Sequence, residues 1–207
     1  MKIVEVKDLP LPGAKLVLYK RFMDVRGYFS ETYRQADFDE LAGALGLDEF
    51  KIAQINESYS TAGVVRGLHF QYDPPQGKLI RLLFGHGIDL SVDARRSSPT
   101  RGKMIMVDLL VDPRQELGQW LWLPPGLAHG NYYLADSALE YICTAPYNPD
   151  GEVGLNPLDD AYDFSLCDPE LRRGFKTLIE KGPVVSDKDA QGVAWTSWQS
   201  DPRGGNV

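Results

Sequence analysis

The sequence predicts a mainly β domain, an antiparallel sandwich or barrel with short helices near its N- and C-terminal parts. Three observations carry that expectation. Short runs rich in β-branched and aromatic residues recur along the chain, clusters of Gly, Pro, Asp and Asn separate them, and only two stretches read as helices. In order, the strand-like runs are 16–20 (LVLYK), 52–58 (IAQINES), 64–71 (VVRGLHFQ), 79–84 (LIRLLF) and 88–93 (IDLSVD). They continue with 104–110 (MIMVDLL), 120–123 (WLWL), 131–134 (NYYL) and 139–145 (LEYICTA). Turns are marked at 72–77 (YDPPQG), 96–102 (RSSPTRG) and 124–126 (PPG). The helical stretches are 35–45 and 169–180 (PELRRGFKTLIE), the second a C-terminal addition to the β domain. The polar end, 201–207 (DPRGGNV), is expected to be flexible.

With 207 residues, 43% of them hydrophobic and 11% aromatic, the chain suits a single domain with a sizeable core. A net charge of -7 with no basic run argues against a polynucleotide partner. It leaves room for a small anionic ligand, because a few arginines can make a positive pocket in an acidic protein. Two cysteines, Cys143 and Cys167, are too few for a disulfide scaffold and lack metal-site spacing. The start MKIVEVKDLP has no signal-like apolar region, and no apolar run approaches the roughly 20 residues needed to span a bilayer. A cytoplasmic protein without a membrane partner is the expectation.

Chemistry concentrates around the three histidines, His69, His86 and His129. His69 lies in Arg66-Gly67-Leu68-His69, which sets an imidazole three residues after a cation. His129 follows the rigid turn Pro124-Pro125-Gly126, and His86 reads as a loop tip. In a strict strand Arg66 and His69 would face opposite ways, so one pocket for both requires a bend or bulge near Gly67.

In this setting the sequence resembles the dTDP-4-dehydrorhamnose 3,5-epimerases, which are cupin-like jelly rolls. The resemblance rests on collinear stretches: 22–31 (FMDVRGYFSE), 54–58 (QINES), 66–71 (RGLHFQ), 76–79 (QGKL), 89–95 (DLSVDAR) and 98–103 (SPTRGK). It continues through 125–130 (PGLAHG), 141–144 (YICT) and 186–189 (SDKD). The resemblance implies cofactor-independent epimerisation of a nucleotide-linked 4-keto-6-deoxyhexose at C3, C5 or both, with no metal. His69 matches the general base; an imidazole, with an ordinary pKa of about 6.5, suits that work near neutral pH. Asp189 matches the carboxylate that orients it. Lys78 matches the cation facing the keto oxygen, where enolate charge develops. Tyr141 matches the acid that returns a proton on the far face.

The substrate-binding positions implied in the same way are Arg26, Phe29, Glu31, Gln54, Asn56, Arg66, His129, Tyr147, Glu152 and Lys188. Arg26 and Arg66 suit a diphosphate, while Phe29 and Tyr147 suit a base. The resemblance also implies a homodimer, in which the N-terminal segment carrying Arg26, Phe29 and Glu31 enters the neighbouring site.

Two stretches depart from the family pattern. Residues 158–167 (LDDAYDFSLC) replace an Ile-x-Trp-Pro segment, which leaves Asp89 and Asp159 beside Asp189 as candidate partners of His69. Asn131 stands where the family carries phenylalanine, a polar group that changes which sugar is accepted if it faces the pocket. Three readings compete with 3,5-epimerisation: a 3-only or 5-only epimerase of another nucleotide sugar such as a CDP-linked one, a metal-dependent cupin, and a non-catalytic sugar-nucleotide binder. A metal cupin is disfavoured because no His-x-His occurs. A silent binder has no need of a base and an acid together.

Overall fold

Alternation along the strands decides which way each side chain faces, and the computed structural model, describing residues 1–206, is built on it. In chain order the elements are β1 (Ile3–Asp8), β2 (Lys15–Lys20), β3 (Phe22–Asp24), β4 (Gly27–Phe29), α1 (Gln35–Leu45), β5 (Gln54–Ser60), β6 (Val65–Gln71), β7 (Lys78–Phe84) and β8 (His86–Asp93). There follow β9 (Met104–Leu110), β10 (Leu117–Leu123), β11 (Leu127–Tyr133), β12 (Ser137–Cys143), β13 (Glu152–Gly154), α2 (Pro169–Glu180), α3 (Asp187–Ala190) and α4 (Trp195–Trp198). One sheet has the order β1-β2-β10-β7-β12-β5, the other β13-β6-β11-β8-β9, and β3 and β4 form a separate hairpin. Neighbouring strands are antiparallel, and the two sheets make a cupin-like jelly roll.

Many strands bury both faces, which is why their sequences read as nearly continuous apolar runs. Ile80 and Leu82 of β7, Ile105 and Val107 of β9, and Leu121 and Leu123 of β10 share one core. The alternate residues Leu79, Trp120 and Trp122 pack instead with Phe38, Leu41 and Leu45 of α1. On the other sheet Leu90, Val92, Met104 and Met106 pack with Phe175 of α2 and Trp195 and Trp198 of α4. Helix α2 starts at Pro169 with the Asp168 carboxylate accepting from the N–H of Glu170, a capped start. The C-terminal stretch is thus a covering layer. Its end, expected to be flexible, turns through a 3₁₀ helix at Pro202–Asn206, with Arg203 bonded to Asp201; Val207 lies outside the described residues.

Strands β5, β6, β11 and β12 differ from the apolar ones. Toward one end of the sandwich their inward positions are polar: Gln54, Asn56 and Ser58; His69; His129 and Asn131; and Tyr141. That polar end is the site.

Candidate active site

Strand β6 positions the first two groups. Its pairing with β11 matches His69 to His129 but Arg66 to Asn131, so β6 carries one residue more than its partner over this interval. Gly67 takes up the extra residue with a φ of +104°, and the following peptide bond is cis. A Cβ at Gly67 would stand 2.5 Å from Gly130 Cα and 2.7 Å from the His129 carbonyl oxygen. The bulge expected from the sequence is present, and it turns Arg66 and His69 toward one cavity.

His69 Nε2 meets Asp189 Oδ1 at 2.7 Å, across 120 residues of chain. Burial pushes the Asp189 carboxyl up, but the His69 hydrogen bond and charge, the Gly67 N–H and Ser186 bring it below the ordinary carboxylate range. A carboxylate only accepts, so Nε2 carries a proton toward Asp189, and in the neutral ring Nδ1 is the nitrogen with the lone pair. The other two candidate carboxylates are engaged elsewhere. Asp89 takes the His129 Nδ1 contact at 3.1 Å, and Asp159 accepts the Trp195 N–H at 2.6 Å where α4 begins.

The facing wall comes from the other sheet. Tyr141 and Cys143 alternate inward along β12, and Cys143 is paired across to Lys78 at the start of β7. Lys78 is 9% exposed, and its Nζ lies 5.9 Å from the centre of the Tyr141 ring. Burial pushes the Lys78 ammonium below its ordinary value, opposed by its interactions with Cys143, Glu152 and Asp89. Burial raises the Tyr141 phenol, with Cys143 and Glu152 adding to the shift, so it holds its proton at neutral pH. His69, Lys78 and Tyr141 line a single cavity of about 410 Å³, a size typical of small-molecule sites.

Beside them lies a buried polar cluster. Asp89 accepts from Ser91 Oγ at 2.6 Å, contacts His129 Nδ1 at 3.1 Å and accepts from Asn131 Nδ2 at 3.3 Å. Burial and then Lys78 lower the His129 pKa against the pull of Asp89, which keeps the ring neutral at pH 7. Nearer the opening, Gln54 Nε2 donates to Asn56 at 2.8 Å, and Gln54 accepts the Tyr147 N–H. Glu152 joins Tyr147 Oη at 3.3 Å to Lys188 Nζ at 2.9 Å, so Lys188 is tied to the cavity through Glu152.

The remaining expected residues stand apart. Arg26 and Phe29 lie exposed on the β3–β4 hairpin, Arg26 bonded to Asp24 at 2.6 Å, and neither lines the cavity within the chain. Glu31 lies 3.8 Å from the Met1 amino group. His86, expected at a loop tip, begins β8 and contacts Asp108 at 2.8 Å, because the register with β9 extends to it. Among the described residues no three His, Cys, Asp or Glu side chains are grouped as metal ligands.

Comparison with known proteins places the chain in a family. The sequence model described as dTDP-4-dehydrorhamnose 3,5-epimerase matches residues 8–197. The chain belongs to that family. The dTDP-4-dehydrorhamnose 3,5-epimerase of Methanothermobacter thermautotrophicus is 42% identical over 93% of each chain. That of Shigella flexneri is 41% identical over 88% of this chain and 91% of its own. The Neisseria gonorrhoeae epimerase is 36% identical, and this chain spans 53% of its length. Among solved structures, the dTDP-6-deoxy-D-glucose-3,5-epimerase of Legionella pneumophila, in complex with dTDP-4-keto-L-rhamnose, superposes with a TM-score of 0.75. It is 31% identical, over 93% of each chain. A 4-keto-6-deoxy sugar epimerase from the novobiocin gene cluster of Streptomyces spheroides gives 0.77 at 26% identity, covering 95% and 89%.

Five cavity side chains of this epimerase-family member were given no role from the sequence: Ser58, Gln76, Tyr133, Leu139 and Cys143. Each carried a usable signal. Ser58 lies two residues from Asn56, Cys143 two from Tyr141 and Tyr133 four from His129, each on an already indicated strand face. Gln76 opens the 76–79 (QGKL) stretch, and Leu139 lies two residues before Tyr141.

Proposed function

We propose that the protein epimerises C3, C5 or both in a nucleotide-linked 4-keto-6-deoxyhexose, with dTDP as the nucleotide, in deoxysugar biosynthesis. The observation that carries this reading is an imidazole–carboxylate pair and a phenol on opposite sheets of one cavity, with an ammonium in the wall. His69 Nδ1 takes the proton from the carbon beside the ketone, the C–H electrons move into an enolate, and His69 becomes an imidazolium held by Asp189. Lys78 faces the enolate oxygen, where a preformed cation is most effective. Tyr141 then gives its phenolic proton to the opposite face of that carbon, which re-forms the ketone with the centre inverted.

Arg66 suits the diphosphate, and Tyr147, Gln54, Asn56, Glu152 and Lys188 suit the nucleotide end near the opening. The working form is a homodimer in the cytoplasm, each β3–β4 hairpin bringing Arg26, Phe29 and Glu31 to the neighbouring site. Supporting this, Val25 and Phe29 on that hairpin are apolar and fully or largely exposed, a surface that association would cover.

The deciding experiment is NMR of dTDP- and CDP-linked 4-keto-6-deoxyhexoses in deuterated buffer, which reads the exchanging ring positions. Wild type is expected to introduce deuterium at C3, C5 or both, and His69→Ala to abolish it. Full exchange by the variant removes His69 from the role of base.

A further inference from the structure

The cavity wall between Arg66 and Tyr133 is polar in a way that neither the base nor the acid explains. Asn131 on β11 is 4% exposed and lines the cavity. It lies across from Arg66 on one neighbouring strand and from Asp89 on the other. Its Nδ2 donates to Asp89 Oδ2 at 3.3 Å. Asp89 also accepts from Ser91 Oγ at 2.6 Å and holds His129 Nδ1 at 3.1 Å. A carboxylate so placed offers only lone pairs, so the amide must turn its N–H side to Asp89. Its carbonyl oxygen is then the free end, and no described side chain donates to it. That oxygen belongs to a cavity-lining side chain, where a ligand that brings a donor can pair with it.

We propose that Asn131 Oδ1 is a specificity determinant that accepts a hydrogen bond from a ring hydroxyl of the hexose. The site then favours a sugar carrying that hydroxyl over the corresponding deoxy sugar. This rests on the reading of the cavity as a keto-sugar site and adds the group it selects for. Other ligand groups fit less well. The ionised diphosphate diester of a nucleotide sugar has no proton for the carbonyl oxygen and meets the Asp89 carboxylate behind it, and a methyl group leaves the oxygen unpaired. A hydroxyl is small and can donate.

The test is deuterium exchange kinetics on dTDP-4-keto-6-deoxyglucose and its 2-deoxy and 3-deoxy counterparts, with wild type and Asn131→Leu. Wild type is expected to lose on the order of tenfold or more in kcat/KM on one deoxy sugar. Asn131→Leu, similar in size but with no acceptor, should bring that ratio toward one. Equal kcat/KM for parent and both deoxy sugars in wild type overturns the proposal, even if the variant fails to fold. A ratio unchanged in Asn131→Leu overturns it too. Exchange into the sugars with unaltered selectivity leaves the epimerase reading standing, whereas no exchange into any of them overturns both.

Discussion

Lys78 shows how a single side chain can be read from its surroundings. Water is nearly excluded from it, and burial destabilises its charged form, so its pKa falls. A lysine with a depressed folded-state pKa is a cost to stability at neutral pH that is relieved as pH rises through the lowered value. An activity that needs the ammonium is full below that value and lost above it. Tyr141 moves the opposite way, upward, so it cannot produce an early loss. The alkaline limb of kcat/KM is therefore expected below the ordinary lysine range, and Lys78→Arg is expected to move it to higher pH. A pH profile of kcat/KM checks this; a limb that stays in place in the variant belongs to another group. At this scale the sequence was legible where one residue type is rare or its motif specific, as with His69 and Lys78. Asp189 stayed one of three candidate carboxylates, because its pairing is a contact over 120 residues that no local pattern encodes.

Strand β6 depends on one glycine for the direction of its side chains. Period-two alternation required a bulge if Arg66 and His69 were to share a pocket, and Gly67 was the residue able to form it. The close approach to Gly130 Cα leaves no space for a side chain, and the φ of +104° is disfavoured for any residue with a Cβ. Gly67→Ala is expected to destabilise the fold by about 2–4 kcal/mol. That lowers Tm by roughly 5–15 °C for a chain of this size, and kcat should fall because Arg66 and His69 lose their common direction. Thermal denaturation with exchange kinetics checks both; an unchanged Tm would show that the backbone accommodates a methyl group here. Elements of seven or more residues were mostly found from their sequence pattern, and helices α1 and α2 to the residue. The three-residue strands β3, β4 and β13 and the four-residue helices α3 and α4 were not, being too short to show a period.

Strand order belongs to the whole molecule, and it is what sequence pattern least reveals. The β7–β12–β5 neighbourhood sets residue 143 beside both 78 and 54, and only the closed jelly roll brings those positions together. The fold also leaves apolar surface in one region of the chain's start: Phe22, Met23, Val25, Tyr28 and Phe29 are all exposed on or beside the β3–β4 hairpin. If that hairpin completes a neighbour's site, each site takes His69 from one subunit and Arg26 from the other. Co-expressing His69→Ala with Arg26→Ala then has a definite outcome. In a mixed dimer one site lacks both groups, while the other combines the intact His69 of the Arg26→Ala chain with the intact Arg26 of the His69→Ala chain. Random pairing makes about half the dimers mixed with one complete site each, so about a quarter of wild-type activity should return from two chains that are inactive alone. Were both residues to act within one subunit, every site in the mixture would lack one of them. Tagging the two chains differently, purifying the mixed dimer and measuring its exchange rate separates these cases: about half the wild-type rate per dimer means the hairpin acts across the interface. No recovery in a verified mixed dimer would place Arg26 outside the neighbouring site.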